Sequence, residues 1–458
     1  MENKKQQKSI NQILKLIKER RWKEVRFRLN NLLPADKSTV YESLETEQQQ
    51  EFLPNTNPAD VADIIEQIED QDAVVLAESL DPNVLVEVLN QMAPDEAANL
   101  LGDIDQDLSR QTLEQLTDVD KVRPLLGYPD DTAGGLMTSD YDVFPENTTA
   151  AQILREMRAQ PSRDEEIPYI YGVDEHGRLT GVIRLADLFR AHPGEPLRTI
   201  AKTQVVSITA DQDQERAARL LNRYDLMALP VVDAEGRLLG VITADDAMEV
   251  LEEETTEDIY KGAGILSAKV QQQSKSDLLI RGPIISVWLV RVPFLLITMA
   301  GGMLAGAVIE NFSEILEQVV VLVFFIPIVM DMGGNAGLQS TSIFIRGYVL
   351  GHIDPMKIYK HVAREIAIGA GMGLVLGLFT AGFAILWQGV PAIGLVVGVS
   401  LALTIIIATL LGFVIPFMLT KLGIDPAAGS GPIITTIKDI TGLFIYFGIA
   451  SLLINYII

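Results

Sequence analysis

From Pro283 to Ile458 the sequence is largely apolar, in runs long enough to cross a bilayer at about 20 residues each. That limits the region to spanning helices whose backbone groups are satisfied internally. Five spans are expected, near residues 284–309, 318–345, 364–388, 392–419 and 431–457. The connection holding Arg346, His352, Lys357, Lys360, His361 and Arg364 is the most basic and belongs on the cytoplasmic side. Glu310–Glu317 then faces outward and the Lys421 loop inward again. With the region before the spans in the cytoplasm, an odd number of spans puts the C-terminus outside. A cell-membrane, multi-pass protein in a lipid bilayer is expected.

Two stretches break the apolar pattern. FIPIVMDMGGNAGLQSTSIFIR, Phe325–Arg346, carries Asp331, Asn335, Gln339 and Ser340 among the glycines Gly333, Gly334 and Gly337. Polar groups at that depth are costly unless they face a cavity, a partner or a pathway, and loosened glycine turns offer carbonyl oxygens to a hard cation. The alternative is a glycine packing seam. DPAAGSGPIITTIKDITG, Asp425–Gly442, places Asp439 deep in the last span, with Thr435 and Thr436 one turn earlier. In a two-fold dimer two Asp439 carboxylates would face each other and suit one hydrated divalent cation. Lys438, its neighbour, is expected to pair with Asp439 or Asp331 or to snorkel toward the cytoplasm.

Charge divides at the same boundary. From Arg281 onward there are eight Lys/Arg and eight Asp/Glu, so the whole net charge of −24 lies in residues 1–280. Such acidity excludes nucleic acid as a partner and favours divalent counter-ions. With no cysteine, disulfides and thiolate metal sites are excluded. No apolar signal-peptide core precedes the first span, which is expected to act as its own insertion signal. No nucleophile–base set or phosphate loop stands out, and an enzyme is not expected.

The acidic half divides further. Residues 1–30 are basic, with ten Lys/Arg against three Glu and apolar residues at helical spacing. They are expected to dock on the acidic array that follows, or else on anionic lipid. From Asn57 a unit of about 12 residues recurs, opening on Asp or Pro and continuing with apolar residues at three- and four-residue steps. One short helix per unit, stacked as a superhelix, is expected over 1–130. Over 131–254, VDEHGRLTGVIRLADL (Val173–Leu188) and VDAEGRLLGVITADDA (Val232–Ala247) match at nine of 16 positions with an offset of 59. Each repeat reads strand, turn, strand, helix, preceded by a helix.

This tandem pattern resembles a pair of cystathionine-β-synthase (CBS) modules. The resemblance implies adenine-nucleotide or ion binding, with Asp187 or Asp246 on the ribose and Tyr169 near the base; the bland alternative is that both aspartates are helix N-caps. Asp213, Glu215, Asp225, Asp245, Asp246, Glu249, Glu252, Glu253, Glu254, Glu257 and Asp258 lie on or beside the second module. Packed acids repel unless protonated or bridged by cations, which is the basis of an ion sensor. Residues 255–282 read as an amphipathic connector helix before the membrane region, 283–458.

The whole order is similar to the MgtE family of magnesium channels, on the motifs YPDDTAGGLMT (Tyr128–Thr138), TEDIYK, GGNAGLQS and GIDPAAGSGPIITTIKDITG. The resemblance implies a homodimer with a pore on the two-fold axis, and Mg²⁺ at Asp439 with Asn335, Gly334, Gly337, Thr435 and Thr436 around it. It implies closure by cytosolic Mg²⁺ at Asp213, Glu215, Asp225, Asp246, Glu249, Glu254, Glu257 and Asp258, and in some members ATP at Tyr169 and Asp187. Leu338 and Gly431 stand where some members have Asn, and Lys438 need not be basic in the family, so these three bear on ion preference. The alternatives are a homologue carrying Mn²⁺, Co²⁺ or Zn²⁺, or a CBS-based membrane sensor with little transport.

Overall fold

The computed structural model describes residues 2–68, 70–159, 167–263, 265, 279–280, 282–349, 351–353, 357–426 and 431–457. They fall into two compact units, Met1–Glu254 and Thr255–Ile458.

The first unit begins with helices α1 (Glu2–Lys18), α2 (Trp22–Leu29), α3 (Pro34–Glu42) and α4 (Thr46–Phe52). The basic segment docks on its own unit: Ile10, Ile13, Leu16 and Ile17 of α1 are buried in the core. The array follows as α5 (Pro58–Ile65), α6 (Asp70–Ser79), α7 (Pro82–Leu89), α8 (Pro94–Asp103), α9 (Gln106–Leu113) and α10 (Val119–Val122). Helix starts follow the 12-residue period because Pro opens α5, α7 and α8, where a missing N–H costs nothing. Asp81 and Asp105 cap α7 and α9 with their carboxylates.

A second periodicity ties the stack together. Glu66 accepts from the Ala93 backbone N–H (3.1 Å), Glu78 from Asp105 (3.1 Å) and Asn90 from Thr117 (2.8 Å). Each bond spans 27 residues, so the end of one unit satisfies the start of the helix three units on. Glu66→Ala leaves the half-buried Ala93 N–H to solvent. Its expected cost to the first unit is about 1 kcal/mol, read as a lowered midpoint in urea unfolding of residues 1–254.

Two three-stranded sheets with the same topology follow. β1 (Asp142–Pro145) runs parallel to β2 (Tyr169–Val173), which is antiparallel to β3 (Leu179–Arg184). β4 (Ile208–Thr209), β5 (Ala228–Val232) and β6 (Leu238–Thr243) repeat the arrangement. The helices of this region are α11 (Ala150–Ala159), α12 (Leu185–Leu188), α13 (Leu197–Ile200), α14 (Gln214–Tyr224) and α15 (Ala244–Gly262). Gly177 and Gly236 take φ of +77° and +83° in the β2–β3 and β5–β6 turns, a conformation that favours glycine. The two turns pair with each other, Leu179 N–H donating to Gly236 O and Leu238 N–H to Gly177 O. The Tyr128–Thr138 motif straps the second sheet, with Thr138 and Val241 exchanging both backbone bonds.

Among the described residues of the second unit, five helices are long and apolar enough to cross a membrane. α16 (Ile284–Asn311) is followed by the short α17 (Ser313–Gln318). A 3₁₀ turn, Val320–Phe325, leads into α18 (Ile326–Val349); then come α19 (Ile358–Gln388), α20 (Pro391–Lys421) and α21 (Pro432–Ile457). With the second span counted from Val320, span starts differ from expectation by up to six residues. α19 begins at Ile358 because Lys360, His361 and Arg364 continue its first turns rather than a loop. Gly369, Gly373 and Gly377 of α19 and Gly394 and Gly398 of α20 form one seam: a Cβ at Gly377 would lie 2.6 Å from Gly398 O, and one at Gly373 2.7 Å from Ala402 O. Gly302 and Gly306, of the same sequence pattern, have no neighbour within 4 Å. Residues 264 and 266–278, most of the expected connector, lie outside the described residues; its start is the end of α15.

Candidate ion pathway and acidic cluster

Helix α18 is sorted into two faces by its polar and small residues. Gly333, Gly334, Ala336, Gly337, Ser340 and Thr341 are buried. Asp331, Asn335, Leu338 and Gln339, at steps of three and four, are exposed on the isolated chain. Asn335 donates to Asp331 Oδ2 at 3.1 Å. On the packed face, Thr341 donates to Gly412 O at 2.9 Å and Ser340 to Glu365, a buried carboxylate that the sequence reading passed over. Gly337 therefore belongs to the helix seam, Gly334 is buried with room beside it, and Asn335 belongs to the exposed face.

Helix α21 supplies the other side. Asp439 is half-buried and within electrostatic reach of Asp331. Thr435 donates to the carbonyl of Gly431, which opens the helix, at 3.0 Å. Thr436 packs on α16, where it fills the space a side chain at Gly301 would need. Lys438 takes neither course expected of it. It is 2% exposed, and its ammonium donates to Gly334 O at 3.2 Å. No carboxylate among the described residues lies within ion-pair distance of it.

In the first unit the acidic residues divide by role. Asp213 is the N-cap of α14, accepting from Glu215 N–H at 2.8 Å, and Asp225 ends that helix with φ of +50°. Glu215 pairs with Arg219, and Glu254 accepts from Gln214 Nε2 at 3.2 Å. Asp246 accepts from the Thr243 hydroxyl and N–H at the start of α15, so part of its work is capping. It also faces Asp95 and, with the exposed Glu249, the half-buried Glu96 of α8. Burial first, then this crowding of like charge, pushes Asp246 up to about 7 and Glu96 well above the carboxylate range. Burial raises Asp95 too, and its Oδ1 is buried without a partner. Asp95 and Glu96 were missed because first-turn acids look like ordinary helix starters. Glu257 and Asp258 belong to the second unit, where Lys261 bridges Glu257 (3.1 Å) and Asp425 (2.5 Å). No group of three or more His, Cys, Asp or Glu among the described residues is arranged to hold a metal ion.

At the first sheet, Tyr169 is half-buried beside Tyr171, ring centroids 6.5 Å apart. Asp187 sits in the first turn of α12, where Arg184 (2.8 Å) and Arg190 (3.3 Å) engage it. The Arg184 hydrogen bond holds its carboxyl below the usual range. Arg184, not Asp187, is the N-cap residue.

Three families match the chain: MgtE, divalent cation transporter, over residues 326–449; the MgtE intracellular N domain over 32–131; and the CBS domain over 133–194 and 197–253. A magnesium transporter MgtE of Thermus thermophilus is 40% identical over 336 residues, covering 73% of each chain. One of Bacillus subtilis is 37% identical over 334 residues, covering 73% of this chain and 72% of that one. The crystal structure of the soluble part of a magnesium transporter aligns with a TM-score of 0.50 at 28% identity, over 54% of this chain and 99% of that one. The fold and these matches define a multidomain membrane transporter of divalent cations, not an enzyme. The chain belongs to the MgtE family.

The acidic cluster sets a pH dependence. The unfolded chain releases its carboxyl protons near the usual range, whereas the folded unit keeps that of Asp246 to about pH 7. Its stability contribution is thus present below the usual range and lost as pH rises through about 7. In a chelator, the Tm of residues 1–254 should fall between about pH 5 and about pH 8, and Asp246→Asn should flatten the fall. A Tm that rises over that window, or an unchanged slope in the variant, contradicts the assignment.

Proposed function

We propose that this chain is a Mg²⁺-selective channel or facilitated transporter of the cell membrane, working as a homodimer. The observation that carries the reading is the exposed Asp331–Asn335–Gln339 face of α18, inside a span of mean hydropathy 1.7. Lipid tails cannot satisfy such a face; water in a pathway, shared with a second copy, can. Asp439 adds the charge, and Asn335 and Asp331 the oxygens, that a hydrated Mg²⁺ needs. Gly337 and Thr436 serve as packing and the Gly334 carbonyl is taken by Lys438, which leaves Asn335, Asp439 and Thr435 as the ion's nearest groups.

Gating follows from the acidic residues. Cytosolic Mg²⁺ entering among Asp95, Glu96, Asp246 and Glu249 relieves their repulsion; Asp213, Glu215, Asp225 and Glu254 of the first unit, and separately Glu257 and Asp258 of the second, are the further sensor residues of this reading. The N-terminal region is then cytoplasmic and the C-terminus extracytoplasmic. ATP at Tyr169 and Asp187 belongs to the same reading, with the nucleotide competing against Arg184 and Arg190 for Asp187.

The test is Mg²⁺ flux into proteoliposomes. Asp439→Ala should lose at least about nine-tenths of wild-type flux, equivalent to a barrier of roughly 1.4 kcal/mol or more. Full flux in the variant sinks the pathway assignment, and no flux of any divalent ion in the wild type favours a membrane sensor. Leu338, 37% exposed on the polar face, motivates one further arm. Preference for Mn²⁺, Co²⁺ or Zn²⁺ over Mg²⁺ in the same vesicles would make the chain a carrier of another divalent ion.

A further inference from the structure

A lysine fully buried in a membrane helix is expensive, and among the described residues Lys438 has no carboxylate at contact distance, only the charge of the adjacent Asp439 within electrostatic reach. The surrounding structure is nevertheless shaped to hold it. Its stem runs where a side chain at Gly337 would otherwise lie, so that position admits only glycine while the lysine is in place. Its ammonium ends on Gly334 O. The next residue, Asp439, points about 100° away around the helix and stays half-buried. The charged end of Lys438 therefore sits in the α18–α21 contact on the Gly334 carbonyl, while the half-buried Asp439 lies within electrostatic reach of both Lys438 and Asp331.

We propose that Lys438 is a specificity-determining residue of the transport pathway. It is a fixed positive charge, held on the Gly334 carbonyl, that weakens the grip of Asp439 on a divalent ion and so speeds the ion's release. The inference rests on the reading that Asp439 lines the pathway. Its physics is Coulombic. Repulsion from a fixed unit charge scales with the charge of the passing ion, and a partly dry site screens it poorly. Two facing carboxylates with nothing behind them would hold a divalent ion tightly and pass it slowly. A lysine behind each carboxylate makes that site looser and faster.

The test separates charge from anchoring. Mg²⁺ flux into proteoliposomes is measured over a concentration series for wild type, Lys438→Gln and Lys438→Met, with Asp439→Asn beside them. Glutamine keeps a donor for Gly334 O without the charge; methionine keeps only the stem. If the charge acts, both lysine variants lower the half-saturating Mg²⁺ concentration by roughly tenfold and lower the maximal flux. Half-saturation at the wild-type value in Lys438→Gln, whatever Lys438→Met does, overturns the proposal and leaves the lysine a hydrogen-bonded pin. Protection against heat by Mg²⁺ reads the same affinity without transport, and should shift to lower concentration in Lys438→Gln. Asp439→Asn keeps the two readings apart. Full flux in that variant removes Asp439 from the pathway; lost flux there with unmoved lysine variants removes only the inference about Lys438.

Discussion

The membrane unit depends on one constraint: a polar group within hydrocarbon must be matched by another polar group or by water. Helix α18 meets it twice, in opposite directions. On one face glycine and small hydroxyl residues let neighbouring backbones come close, and Ser340, Thr341 and Gly334 O find partners in Glu365, Gly412 O and Lys438. On the other face Asp331 and Asn335 bond to each other and remain exposed. The α19–α20 glycine seam sits on the next layer out, so the packed side is rigid and the polar side is left to be completed by solvent or by a second copy.

The soluble unit answers the opposite problem, an excess of like charge. Some of its acids are neutralised locally: Asp213 by a helix N-terminus, Glu215 by Arg219, Asp187 by two arginines. Others, the buried Asp95 and the half-buried Glu96 and Asp246, crowd one another and resist ionisation. The first group is already satisfied by its local partners. The second carries an unmet cost.

Much of the fold was legible from sequence because its periods are strong. The spans come from hydrocarbon thickness, the array from a 12-residue recurrence of Pro and Asp at helix starts, and the twin sheets from an offset of 59 with glycine at each turn. The candidate site was legible by residue type but not by direction. GGNAGLQS announces a specialised helix, yet only three-dimensional packing assigns Gly337 to the seam and Asn335 to the open face. Lys438 could not be placed from sequence either, since its position depends on the absence of a side chain at Gly337, on another helix. Asp95 and Glu96 are invisible to pattern because α8 would open the same way without any role for them.

The 27-residue bonds of the array have a consequence for how this region can vary. Each connects side chain and backbone across three units of the stack. Inserting or deleting one whole unit keeps every helix in phase, yet hands each acceptor a new donor. A change of any other length breaks the phase outright. The array is therefore quantised in length: gene-level drift can lengthen or shorten it only in steps of about 12 residues.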